Sequence, residues 1–365
     1  MKQKMERLRD PEESGGAPAG RIAGRSISMT ADSQNHDDPM VMGWLSRLQP
    51  LFAMLLQGIL TLLAVSLLIF LAARALPGDV ANMILGQSAT PEQLLSLRSD
   101  LGLDQPLWWQ YLSWLGGILR GDWGVALANG QPVADILVLA VRNSAALSGV
   151  ALAVMLPLSL VLGVAAAQFR DGFLDRLFLG MSMVANAVPD FVTGTVLVAL
   201  FATTVLHVLP AVSFIPPGGS PFSYPIALVL PAATVIIPGV MYLSRLVRVA
   251  VIDVMATEYI QTAILKGLSP SRILFRHALP NAVAPVIPAA SMVAAFTVGG
   301  IVVVEYLFAY PGVGSALVDA VTNRDLPVIQ ANVLVIASAY FILNLIADAL
   351  ARRNGASNRQ GGHAA

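Results

Sequence analysis

Six long apolar runs constrain this chain more than any other feature: 51–73, 144–168, 177–206, 225–247, 283–307 and 328–350. As helices, runs of about 20 residues cross the hydrocarbon core of a bilayer. Lipid offers backbone N–H and C=O groups no partners, so such runs are forced into helices. Composition agrees. Hydrophobic residues are 56% of the chain and charged ones 12%, against roughly 25% charged in soluble proteins. The expected fold is all-α: a polytopic membrane protein with six transmembrane helices. The third run exceeds one span and implies a tilt or an extramembrane end.

Basic residues set the expected orientation. The loops at 169–176 and 248–281 carry Arg170, Arg176, Arg248, Lys266, Arg272 and Arg276. The loop at 207–224 has no Lys, Arg, Asp or Glu, and that at 308–327 has one basic residue, Arg324. With Arg352 and Arg353 after the last span, both termini are expected in the cytoplasm. The expected organisation is a polar, disordered N-terminal tail at 1–48 and a first span with an extracytoplasmic helical segment at 49–140. A core of five spans follows at 141–351, then a cytoplasmic tail at 352–365. The tail at 1–48 lacks the apolar stretch of a signal peptide, and Met40 or Met42 is an alternative start. Net charge is zero, so nothing points to nucleic acid. The absence of cysteine rules out disulfides and thiolate metal sites.

The segment after the first span holds two helix starts. Thr90-Pro91-Glu92-Gln93 has the composition of a capping box, with proline in the first turn. Gly102 stops the stripe of Leu94, Leu97 and Leu101. Asp104-Gln105-Pro106 then leads into Trp108, Trp109, Tyr111 and Trp114, rings that favour the headgroup level. This second helix reads either as an interfacial anchor or as a contact for a substrate-delivering protein.

Residues 254–281 form a polar, basic segment between two spans, and their punctuation spells a helical hairpin. Gly267 falls where a first helix ends in a left-handed residue. Ser269 can cap a second helix, with Pro270 in its first turn. Ile260, Ala263 and Ile264 make one small apolar face. A hairpin of this size suits a groove on a soluble partner.

The same residues resemble a family signature. Gln261-Thr262-Ala263, Gly267 four residues after Ala263, and Leu279-Pro280 resemble the EAA-type loop of ABC importer permeases. Gln261 and Thr262 stand where that pattern has Glu and Ala, and His277 where it has Ile. TAILKGLS followed by RHALPNAVAPVI is similar to the dipeptide/oligopeptide/nickel branch. Leu76-Pro77-Gly78-Asp79, ATPEQ, LGLDQP, YLSWLGG, GDWG and Tyr310-Pro311-Gly312-Val313-Gly314 extend the resemblance over about 50–350. The resemblance implies a bacterial inner-membrane permease whose hairpin docks on an ATPase. Gln261, Thr262, Ala263, Lys266, Gly267, Leu268, Arg276, His277, Leu279 and Pro280 would form that docking element. The implied partners are a second homologous permease, two ABC ATPases, a solute-binding protein and the lipid bilayer. ATP and Mg would be used by the partners, with no cofactor on this chain. The implied substrate is a di- or oligopeptide, with nickel or another small solute as the alternative.

Candidate chemistry within the chain is sparse. No GxxxxGK[ST] phosphate loop occurs, and Lys266 is the only lysine beyond residue 4. His36, His207, His277 and His363 lack HExxH spacing, which disfavours a zinc protease. A charge at membrane depth is costly, which singles out Asp190, beside Pro189 and near Asn186. Asp190 either lines a water-filled pathway and meets a cationic substrate group or pairs internally at a proline break. Glu305 is expected at the interface. Pro231, Pro238, Pro285, Pro288, Gly299 and Gly300 suggest kinked, closely packed inner helices. A secondary transporter would favour paired intramembrane charges and inverted repeats, and neither is evident. An intramembrane enzyme would need a nucleophile–base or metal constellation, and none is present.

Overall fold

A computed structural model describes residues 39–75 and 90–361, except 101 and 103. The described residues from 51 onward form one compact unit. The described residues form helices α1 (Pro39–Ala75), α2 (Pro91–Asp100), α3 (Leu107–Leu119), α4 (Val133–Gln168), α5 (Phe173–Ala187) and α6 (Asp190–Val198). There follow α7 (Pro225–Met255), α8 (Glu258–Leu265), α9 (Pro270–Leu307), α10 (Val313–Thr322) and α11 (Leu326–Gly361).

Among the described residues, five helices are long and apolar enough to cross a membrane, and six spans result if α5 and α6 count as one. The fold is therefore the all-α, polytopic one expected, with differences at the edges. Residues 39–48, expected in the polar tail, are helical. Val41, Met42, Trp44 and Leu45 give that stretch apolar character, and Pro39 suits a first turn. Residues 1–38 lie outside the described residues, as do Leu76-Pro77-Gly78-Asp79. Residues 352–361, expected in the C-terminal tail, continue α11. The second span begins at Val133 rather than 144 because Pro132 provides an N-terminal start.

The third span departs most from expectation. It is two helices, Phe173–Ala187 and Asp190–Thr203, meeting at 104°. Val188 and Pro189 between them are extended. Proline cannot donate to the carbonyl four residues back, and it pushes its predecessor out of the helical region.

The core is built on α4 and α7, with α9 packed on α7 and α11. At Gly163 a Cβ would lie 2.6 Å from the Ser244 carbonyl oxygen, so glycine permits this close approach of α4 and α7. Buried hydroxyls satisfy themselves locally. Ser159, Thr234 and Ser244 each donate to the carbonyl four residues back. Pro231, Pro238, Pro285 and Pro288 all lie within continuing helices.

The segment after α1 follows the local signals. Thr90 and Gln93 make the reciprocal bonds of a capping box, at 3.0 and 3.3 Å. Gly102 is left-handed, with φ +62°. On α3, Tyr111 turns toward α1, its hydroxyl 2.8 Å from Ser66 Oγ and its ring edge-on to Phe70. Trp108 and Trp109 remain exposed.

Candidate functional site: a hairpin and a central cavity

The hairpin starts where α7 ends. Thr257 Oγ1 bonds the Val254 carbonyl, and its extended backbone opens α8. The end of α8 is a Schellman motif. Gly267 N–H donates to Ile264 O at 2.9 Å and Leu268 N–H to Ala263 O at 3.3 Å, with Gly267 at φ +74°. The leucine after the glycine folds back onto the apolar cluster that contains Ala263.

The two arms share a small core. Ile260, Ala263, Ile273, Leu274, Ala278 and Ala282 pack with Val164 of α4 and Val247 and Val251 of α7. Ala263 is therefore buried inside the hairpin and does not face outward. The sequence placed Ile264 on the same face as Ile260. It is instead exposed, beside Leu265 at 88% exposure. The helix is short, and packing against α7 settles its rotation, selecting Ile260 and Ala263 as the inner pair.

The second arm is not a separate helix. It continues without interruption into the fifth span as α9, through a π-helical stretch at Ile273–Ala278. Pro280 lies just beyond it. A proline there would crowd the Arg276 carbonyl in a regular helix, and π-helical widening relieves such crowding. Ser269 takes the N-cap position, but its side chain makes no capping bond. Its Oγ lies 3.5 Å from Ser271 Oγ.

Two residues that sequence reasoning missed bind the arms together. The Tyr259 hydroxyl donates to the His277 carbonyl at 3.1 Å. Asn281 Nδ2 donates to the Tyr259 hydroxyl and the same carbonyl, both at 2.9 Å. It is thus the backbone of His277 that is held. Of the residues expected to form the docking element, Gln261, Thr262, Lys266, Gly267, Arg276 and Pro280 are exposed. Leu268, His277 and Leu279 are partly buried.

Beside the hairpin, a buried ion pair clamps α5 to α7. Arg248 Nε and Nη2 donate to the two oxygens of Asp175, at 2.6 and 2.5 Å. Asp171 N–H adds a third bond at 3.0 Å. The Asp175 side chain is 3% exposed. Fork-shaped recognition of this kind exploits the planar guanidinium.

The break at Pro189 positions the other candidate residues. Asn186 ends α5, where its Nδ2 donates to Ser182 O at 2.8 Å. Asp190 opens α6. Both line one cavity of about 300 Å³, together with Met155, Tyr242, Met292, Phe296, Thr297 and residues around them. The structure thus brings Asn186 and Asp190 together. The Asp190 carboxylate has no hydrogen bond or ion pair among the described residues, so it does not pair internally with any of them.

At the opposite end of α9 from the hairpin, Glu305 is buried rather than interfacial, with 0% exposure. Ser144 Oγ and Gly314 N–H donate to its two oxygens, at 2.5 and 2.7 Å. Tyr310 donates to the Asn143 carbonyl at 2.7 Å, and Asn143 Nδ2 to that of Pro311 at 2.7 Å. A Cβ on Gly312 would overlap the Glu305 carboxylate. The Tyr310–Gly314 motif thus wraps a buried acid that sequence alone gave no reason to bury.

Long apolar helices with a polar, basic hairpin at one end define a polytopic membrane protein. The family described as binding-protein-dependent transport system inner membrane component matches residues 159–359. Its companion N-terminal family matches residues 47–161. The chain belongs to this family and is a permease subunit of an ABC importer, a multi-pass protein of the inner membrane. Among its relatives is "Probable peptide ABC transporter permease protein y4tP" of Sinorhizobium fredii. That protein is 34% identical over 80% of this chain and 94% of its own length. Another is "Glutathione transport system permease protein GsiC" of Escherichia coli K12, 33% identical over 80% of this chain and 92% of its own length.

Proposed function

We propose that this permease passes small peptides across the inner membrane and is driven through its hairpin by separate ATPase subunits. The observation that carries the coupling role is the hairpin's construction. Its inner face is packed against α4 and α7, its arms are tied by Tyr259 and Asn281, and its second arm is continuous with α9. A push on the exposed Gln261, Thr262, Lys266 and Gly267 would therefore move a membrane-spanning helix as a rigid body. Arg276, His277, Leu279 and Pro280, in the second arm, would carry that motion toward the membrane. Ala263 and Leu268 act from inside, by holding the turn.

Peptide as substrate rests on the names of the relatives, which specify peptide and glutathione, itself a small peptide. Those names do not favour nickel. Asn186 and Asp190 would belong to the substrate pathway. The arginines and Lys266 around the hairpin support placing it, and both termini, in the cytoplasm. ATP with Mg would be bound by two ATPase subunits, since this sequence carries no phosphate loop. A second homologous permease and an extracytoplasmic solute-binding protein complete the proposed assembly.

The test is uptake by proteoliposomes containing the purified importer, with binding protein outside and ATP inside. Labelled peptide should accumulate only with hydrolysable ATP. Accumulation that persists without ATP would instead make the chain a secondary transporter.

A further inference from the structure

The cavity at the broken third span is lined by three side-chain oxygens, on Asp190, Asn186 and Thr297. Asp190 is half-buried and unpaired among the described residues. Asn186 is exposed, spends its Nδ2 on Ser182, and its Oδ1 takes no bond among the described residues. Thr297 is 6% exposed and lines the same cavity, yet its hydroxyl has no partner among the described residues. Other helical hydroxyls here, those of Ser159, Thr234, Ser244 and Ser291, bond the carbonyl four residues back. Thr297, like Ser148, makes no such bond. Three acceptors around one space, each open to the cavity and without a partner among the described residues, point to a ligand that donates.

The ligand's charge and size follow from the lining. Asp190 is the only charged side chain among the described residues that line the cavity, so the space favours a cation. Its volume of about 300 Å³ is at the small end for ligand pockets, roughly 300–1,000 Å³. That suits one residue of a peptide better than a whole one. Met155, Met292 and Phe296 offer a polarisable, adaptable wall that accepts varied side chains.

We propose that this cavity reads the free N-terminus of a passing peptide. The α-ammonium donates to Asp190, Asn186 Oδ1 and Thr297 Oγ1, while the first side chain rests on the methionine and phenylalanine wall. An ammonium has three donors, matching the three acceptors. This rests on the reading of the chain as a peptide permease, and it makes the membrane subunit a second selector after the binding protein.

The probes are trialanine and N-acetyl-trialanine, the same peptide without the ammonium. ATP-driven uptake is measured in proteoliposomes holding the whole importer, at equal occupancy of the binding protein by each probe. Losing a charge-assisted contact predicts that Asp190→Asn slows trialanine by about tenfold. N-acetyl-trialanine should change by less than about twofold. Thr297→Val should slow trialanine selectively, and Asp190→Glu should preserve part of the preference. The amount of assembled complex in the membrane is measured for each variant. If Asp190→Asn does not assemble, Asp190→Glu and Thr297→Val carry the test. Equal slowing of both probes, or unchanged trialanine uptake with a normal amount of complex, overturns the proposal. If the parent importer moves neither probe with ATP, the peptide reading itself fails, and this inference with it.

Discussion

Arg248→Met should destabilise the protein far more than loss of a surface charge would. The substitution keeps a long apolar stem but removes both guanidinium bonds to Asp175. The carboxylate would then be 3% exposed with only the Asp171 N–H to satisfy it. Removing one partner of a buried pair costs about 3–5 kcal/mol because the other charge is stranded. Removing both differs in kind. Asp175→Leu with Arg248→Met leaves no charge to solvate, and such replacements are often neutral or stabilising by about 1–4 kcal/mol. The double variant should therefore be more stable than Arg248→Met alone, with an interaction energy of about 3 kcal/mol or more. The measurement is equilibrium unfolding of the parent, both single variants and the double, in one mixed-micelle system. Additive effects, or an Arg248→Met cost below about 0.5 kcal/mol, would show that the pair does not clamp α5 to α7.

Two further expectations concern packing and topology. Gly312→Ala should lower stability measurably, because its Cβ would overlap the Glu305 carboxylate, whereas Gly149→Ala meets open space within α4. The latter should stabilise by up to about 1 kcal/mol in the same unfolding assay, and equal effects of the two would contradict the packing described. Ser220→Cys and Ser271→Cys, introduced singly into this cysteine-free chain, should react with an impermeant thiol reagent from opposite faces of the membrane. Reaction from one face would overturn the proposed topology.

The features legible in the sequence are those set by neighbours along the chain. The Thr90–Gln93 box, the left-handed Gly102 and the Schellman turn at Gly267 all formed where their residues required. The apolar runs located the spans, because hydrocarbon imposes length and helicity on each run independently. Features that failed depend on distant partners. Pro189 announced a break, but packing of α6 against α7 and α9 accompanies the 104° bend. Arg248 read as an orientation signal, since Asp175 lies 73 residues away. Glu305 read as interfacial because Ser144 and the Gly314 amide reach it only after folding. Ala263 was given an outward role for the same reason, since the α7 residues that cover it are not local.

If the hairpin transmits force from partner ATPases, Gly267→Asp should interrupt it. Gly267 is left-handed, and a Cβ there meets nothing within 4 Å. The intrinsic cost of a side chain is therefore only about 1–2 kcal/mol, and the chain should still insert and assemble its helices. Any larger effect must come from outside the chain, at the exposed turn. With Ser271→Ala as control, the measurement is ATP hydrolysis by the reconstituted importer with and without substrate-loaded binding protein. Gly267→Asp should lose the stimulation, or retain less ATPase subunit on purification, while the control behaves as the parent. Full stimulation by Gly267→Asp, in membranes with a normal amount of the permease, would contradict the coupling role of the hairpin.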